Sequence, residues 1–258
     1  MREINPDQPP QPLTEEARAD IAALVERQRR ARSLLMQVVS FAGGQVEDMM
    51  KMVPKGVRGR LDAAARQALE RSYEVASQTG GRLEGDRANK IFATISGALG
   101  GLGGLPTALA ELPVATTVIF RAVQGVAAQN GEDPLSVETR LECLRVFGSG
   151  GPGEEDDGID TTFLGARVSL TGPAVHRLIA TVAPRFATVL GQKLASQAVP
   201  VLGAAAGAGT NFAFTGYFVE MAHVHFGLRR LAIEAGRDHA ELVEDFRVLV
   251  ETVPVKRA

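Results

Sequence analysis

The chain has 258 residues, 28 Lys and Arg against 30 Asp and Glu, and a hydrophobic fraction of 45%. That balance excludes the basic excess of a nucleic-acid-binding face, a single cysteine excludes a disulfide scaffold, and the apolar fraction excludes a disordered chain. Aromatics make up only 5%, so composition predicts a core of Ala, Gly, Val and Leu in which backbones approach closely.

The first residues carry Pro6, Pro9, Pro10 and Pro12 and no apolar run, which predicts an extended tail over 1–13 rather than a secretory signal. Thr14 is placed to cap a helix whose first turn holds Glu15 and Glu16. Ile21, Leu24, Val25, Leu35, Val38 and Val39 then recur at helical spacing until Gly43-Gly44. Arg27, Arg29, Arg30 and Arg32 crowd this helix beside Leu34, Leu35 and Met36. Such a basic amphipathic stretch suits a membrane surface, where each cation near anionic lipid contributes about 1 kcal/mol; a solvated helix face is the plain alternative. Val46, Met49, Met50 and Val53 form a second stripe that Pro54 stops. The next helix carries Leu61, Ala65, Ala68, Leu69, Ser72 and Ala76, ending at Gly80-Gly81.

Residues 91–110 and 194–219 contain no charged side chain. Gly97 with Gly101, Gly100 with Gly104, Gly203 with Gly207 and Ala205 with Gly209 lie four apart, a spacing that flattens one helix face for a close neighbour. Glycine costs about 1 kcal/mol per helical position relative to alanine, so tight packing is needed to compensate. Both runs approach bilayer-spanning length, yet Pro106, Pro113 and Pro200 interrupt them and Ser196, Gln197, Thr210 and Asn211 dilute them. Buried hairpins in a soluble core, a membrane-inserting hairpin and true spans all remain open.

Between the runs, Pro134 opens a short helix through Leu141, Leu144, Val146 and Phe147 that closes at Gly148. Residues 149–160 read as an acidic, glycine-rich loop, 163–171 as helical, and Gly172-Pro173 as the start of the next helix. Beyond Val219 the helix continues to Ala235, Gly236 caps it, and 238–253 makes a last amphipathic helix before a short basic tail at 254–258. No period-2 pattern persists. The expected fold is all-α: one domain over 14–253, a multi-helix bundle in which two Gly/Ala-rich hairpin segments pack together.

Glu220 and His223 have the Glu-x-x-His spacing of di-iron bundles, but no second copy exists and the ligand count is short. Cys143 has no neighbouring His and reads as an inert buried thiol. Gly100–Gly104 lacks the following Lys-Ser/Thr of a phosphate loop. In the acidic loop, Gly158 at the EF-hand glycine puts Leu164 where a bidentate Glu is required. No cofactor is therefore expected. Glu111 and Arg121 are isolated charges in apolar surroundings; with Gln192, Lys193, Gln197 and Asn211 they are expected to form a buried polar network between the two runs. Helix-orienting hydrogen bonds without a ligand explain that set equally well.

Gly103-Gly104-Leu105-Pro106, then Glu111-Leu112-Pro113-Val114 leading through Arg121 to Gly131-Glu132-Asp133, resemble the EcsC protein family. So do Glu138-Thr139-Arg140-Leu141-Glu142-Cys143-Leu144 ahead of Phe147, the stretch from Gln192 to Ala204, Asn211, His225-Phe226 and Arg229-Arg230-Leu231. The order of motifs covers roughly residues 60 to 245 and departs at Thr162-Phe163, where many relatives carry an aromatic pair. The resemblance implies a bacterial, intracellular helical protein of a family without an established activity, whose founding member is encoded beside ABC-transporter subunits. The expected function is that of a non-enzymatic, membrane-associated accessory protein, cytoplasmic at or in the inner face of the membrane, with a lipid or membrane-protein partner and no nucleic acid. The alternatives are a metal-dependent enzyme at Glu220 and His223 and a soluble carrier of a lipid-like ligand.

Overall fold

The computed structural model describes residues 13–41, 55–78, 104–149, 172–197 and 203–252. These form seven helices and no strand: α1 Glu15–Phe41, α2 Lys55–Gln78, α3 Gly104–Gln129, α4 Val137–Val146, α5 Gly172–Gln197, α6 Gly203–Ala235 and α7 His239–Thr252. The fold is all-α, as the absence of period-2 patterning predicts. The stripe at 46–53, residues 91–103, the acidic loop beyond Ser149 and the helix expected at 163–171 lie outside the described residues.

Local chemistry accounts for the helix ends. Thr14 Oγ1 accepts from the Ala17 amide at 3.2 Å, capping α1. The cap of α4 is Ser136 rather than Pro134: its hydroxyl accepts from the Thr139 amide at 3.1 Å, and the proline lies in the preceding turn. At the end of α6, Gly236 takes φ +62°, and the Arg237 amide donates to Ala232 O at 3.0 Å, a Schellman closure that an L side chain would strain. Pro106 and Pro113 do not interrupt the first glycine-rich run within α3, which continues through both. The Pro113 ring removes one backbone donor, and the Thr116 and Thr117 hydroxyls fold back onto Leu112 O and Pro113 O, both at 2.7 Å.

The core corrects the compositional expectation. It holds many Ala, Val and Leu, but its largest fully buried side chains are phenylalanines. Phe147 of the α4 C-terminus stacks on Phe120 of α3 (centroids 6.0 Å), and meets Phe186 of α5 at 5.1 Å and Phe218 of α6 at 5.0 Å. Phe214 and Tyr217 extend the cluster against Phe218. A low aromatic count says little about the core when the rings collect in one place, each burying as much apolar surface as two or three small side chains.

Helix α6 is the axis. Helix α1 runs antiparallel along it, with Leu24 over Gly227, Arg27 bonded to Glu220, and Leu34 over Gly216. The two glycines are eleven residues apart, three helical turns, so they form one notch on one face. A Cβ at Gly227 would sit 2.8 Å from Leu24 Cδ2, and one at Gly216 would sit 3.1 Å from Leu34 Cδ1. Close approach through glycine therefore occurs, but against α1. Gly209, inside the second uncharged run, is exposed with nothing within 4 Å of its Cβ position.

Helix α3 runs parallel to α6: Phe120 and Phe218 share Phe147, and twelve residues on Glu132 bonds Arg229. Helix α5 meets α6 where Phe186 packs on Phe218 at 5.8 Å, and the five residues between Gln197 and Gly203 reach only about 20 Å, too short for a parallel arrangement. A second core of Ile21, Leu24, Val25, Val224, Leu228, Leu231, Leu242, Val243 and Phe246 joins α1, the C-terminal half of α6 and α7. No described helix is long and apolar enough to cross a membrane.

Candidate functional site

Where α4, α6 and the start of α7 meet, the structure buries a group of charges. The Ser136 cap points α4 so that its residues 141–146 are all buried, and Glu142 faces α6. His225 Nε2 lies 2.9 Å from Glu142 Oε2, with both side chains 8% exposed. Arg145 reaches Glu142 Oε1 at 3.3 Å from the same helix, and Arg229 reaches it at 3.5 Å, one turn beyond His225. Arg229 also holds Glu132 at 2.6 Å and the exposed Glu138 at 3.6 Å. The Thr139 hydroxyl donates to the second oxygen of Glu132 at 3.1 Å. One guanidinium thus ties the turn after α3, the first turn of α4 and the middle of α4 to α6.

Burial by itself would raise the Glu142 carboxyl. The hydrogen bond and charge of His225, with Arg229 and Arg145, outweigh it and hold the group at about 2. Glu142 is therefore an ionised acceptor throughout the neutral range. His239, at the first position of α7, lies edge-on to the His225 ring with centroids 6.1 Å apart. Its two ring nitrogens are buried, and neither has a hydrogen-bond partner among the described residues. Burial, with the charges of His225 and Arg229, pushes His239 down to about 4, so it is neutral at neutral pH. Burial likewise pushes the neighbouring Cys143 thiol well up, which removes it as a nucleophile. A carboxylate–histidine pair can move a proton, but here arginines on one side and packed helices on the other seal it. The arrangement is suited to fixing α4 and α7 on α6.

The site residues expected from sequence fall elsewhere. Glu220 of the Glu-x-x-His pair bonds Arg27 of α1 at 2.9 Å, and His223 is half-buried three residues on. Among the described residues no three His, Cys, Asp or Glu are grouped to hold a metal ion. Of the expected polar network, Asn211 is buried in α6 and Arg121 half-buried in α3. The parallel register places them about two turns apart along the bundle. The side chains of Glu111, Gln192, Lys193 and Gln197 lie outside the described residues. In the basic stretch of α1, Arg27 is paired across to α6, Arg29 bonds Glu26 of its own helix at 2.9 Å, Arg30 Nε donates to Glu26 O at 3.4 Å, and Arg32 is exposed. Spacing did not single out Glu142, His225 or Arg229, because their partners are distant in sequence. All three nonetheless sit in the motifs that carry the family resemblance, and that was the available signal.

The family model described as EcsC protein family matches residues 46–231. No curated protein and no solved structure matches the chain. The matched span contains Glu132, Glu142, Arg145, His225 and Arg229, and α1 and α7 lie outside it. With most of its length inside that match, the chain belongs to the EcsC protein family.

Proposed function

We propose that this protein is a non-enzymatic, membrane-associated helical protein acting as an accessory to a membrane-protein partner, with the transporter setting taken from the family resemblance. One observation carries the reading. Residues 33–41 of α1, 112–120 of α3, 186–192 of α5 and 203–219 of α6 contain no charged residue, and the register of these helices sends all four segments to the same end of the bundle. Met36, Val114 and Phe212 are exposed there, at 47%, 59% and 45%. Large apolar side chains exposed at one end, where Glu111 and Lys193 are the charged residues of these four helices, favour contact with another apolar phase. The sealed Glu142–His225 pair and the protonated Cys143 thiol favour a structural rather than a catalytic use of the polar core.

Vesicle flotation of the intact chain tests this. The protein is expected to rise with lipid vesicles, and Val114→Ser with Phe212→Ser is expected to lower the floated fraction while the thermal midpoint stays near that of the parent. Protein left entirely in the dense fraction, together with clean cytosolic fractionation of cells, overturns the reading.

A further inference from the structure

Helix α7 follows α6 after a turn in which Gly236 holds φ +62°, and its first residue closes on the polar cluster. The His239 ring meets the His225 ring edge-on, with centroids 6.1 Å apart. Both His239 nitrogens are buried without a hydrogen-bond partner among the described residues. The charges that face this ring are already engaged. From α4, the Glu142 carboxylate is held by His225, Arg145 and Arg229. From the turn, Asp238 Oδ1 accepts from the Ala240 amide at 2.7 Å. From α6, the facing groups are His225 and Arg229, both basic. Helix α1 packs on α7 through Ile21, Leu24 and Val25, and the charges flanking that stripe are turned elsewhere: Asp20 to Arg230, Glu26 to Arg29 and Arg27 to Glu220.

A proton on His239 therefore arrives beside basic groups, with the facing carboxylates taken and water excluded by burial. The ring regains water by leaving α6, and α7 is built to leave as one piece. Its ion pairs, Arg237 with Glu241 and Asp245 and Arg247 with Glu244, lie within the turn and the helix and travel with it. Its hold on α6 and α1 runs through Leu242, Val243 and Phe246. We propose that α7 is an acid-released strap: protonation of His239 undocks the helix about the Gly236 turn and opens the second core and the His225–Glu142 pair to water. The strap lies outside the family match, whereas the pair it closes on lies inside. Once undocked, His239 returns from about 4 to its ordinary 6.5, so the undocked population rises about twentyfold from pH 7 to pH 5.

Hydrogen exchange of the intact chain, corrected for the intrinsic pH dependence of amide exchange, follows the undocking. At pH 7 the amides of α7 are expected to be less protected than those of α3 around Phe120, because the strap opens without the bundle. From pH 7 to pH 5 the protection of α7 is expected to fall about twentyfold in the parent and less than about twofold in His239→Gln, whose side chain takes up no proton. Equal protection of α7 and α3 in the parent overturns the strap, since α7 then opens only with the whole molecule. A parent whose α7 protection is the same at both pH values overturns it without any variant. An equal fall in His239→Gln and the parent overturns the part given to His239.

Discussion

His225 of α6 and Glu142 of α4 are 83 residues apart in sequence and 2.9 Å apart in space, both almost fully buried. Three basic groups, His225, Arg145 and Arg229, converge on that one carboxylate. Removing it leaves buried cations without their counter-charge, a larger penalty than the worth of any single contact. Glu142→Leu is therefore expected to destabilise the protein by about 3–5 kcal/mol, and His225→Phe by about 1–3 kcal/mol through loss of one charge-assisted hydrogen bond. Urea unfolding measures both. A Glu142→Leu variant as stable as the parent contradicts the structural role given to the cluster.

Acid should loosen the α6–α7 junction before it reaches the carboxylates. His239 ordinarily titrates at 6.5 and is held at about 4 in the folded chain. Between those values the unfolded chain binds the proton and the folded chain does not, so stability falls as pH drops from 6.5 to 4 and levels off below. Glu142, lowered from 4.5 to about 2, then removes further stability as pH falls through that lower window. Urea midpoints followed from neutral pH to pH 4 should decline for the parent, and His239→Phe should flatten the decline. An unchanged slope in that variant would assign the upper window to another group.

Glycine positions separate close packing from mere tolerance. Gly227→Ala puts a methyl 2.8 Å from Leu24 Cδ2 in the second core, and overpacking of about 1–3 kcal/mol exceeds the helix-propensity gain of about 1 kcal/mol. Gly125 and Gly209 have nothing within 4 Å of the added atom, so alanine there should stabilise by up to about 1 kcal/mol. Thermal midpoints of the three single variants should therefore move in opposite directions.

The Arg27–Glu220 pair is partly exposed, with Arg27 at 34%, so Arg27→Gln should cost under about 1 kcal/mol. Elemental analysis of the parent and of Glu220→Gln should give the same metal content, because the carboxylate is already engaged by an arginine. A stoichiometric metal lost in Glu220→Gln would revive the Glu-x-x-His reading.

Features that depend on neighbours in the chain were legible in advance. The Thr14 cap, the breadth of α1 and α2, Pro173 in the first turn of α5, and Gly236 at the end of α6 follow from local backbone and side-chain chemistry. The α4 cap was misassigned by two residues because Pro134 and Ser136 both favour a helix start, and only the hydroxyl reaches an amide. The interruption expected at Pro113 does not occur, because one missing backbone donor weighs less than the burial of Leu112, Ile119 and Phe120 of the same helix in the core.

Taken alone, the sequence determined the helical class, the near-neutral charge and the crowding of uncharged, glycine-rich residues into two runs, since each is a property of composition or of short periodicity. Tertiary structure decided what those features touch. It set Leu24 and Leu34 of α1 in the glycine notch of α6, gathered phenylalanines of α3, α5 and α6 around Phe147, and brought Glu142 to His225. Such contacts join residues tens to hundreds of positions apart, and no local periodicity encodes which helix faces meet. The second uncharged run thereby changed from a question of span length into one of partners, with Gly216 against Leu34 of α1 and Phe218 against Phe147.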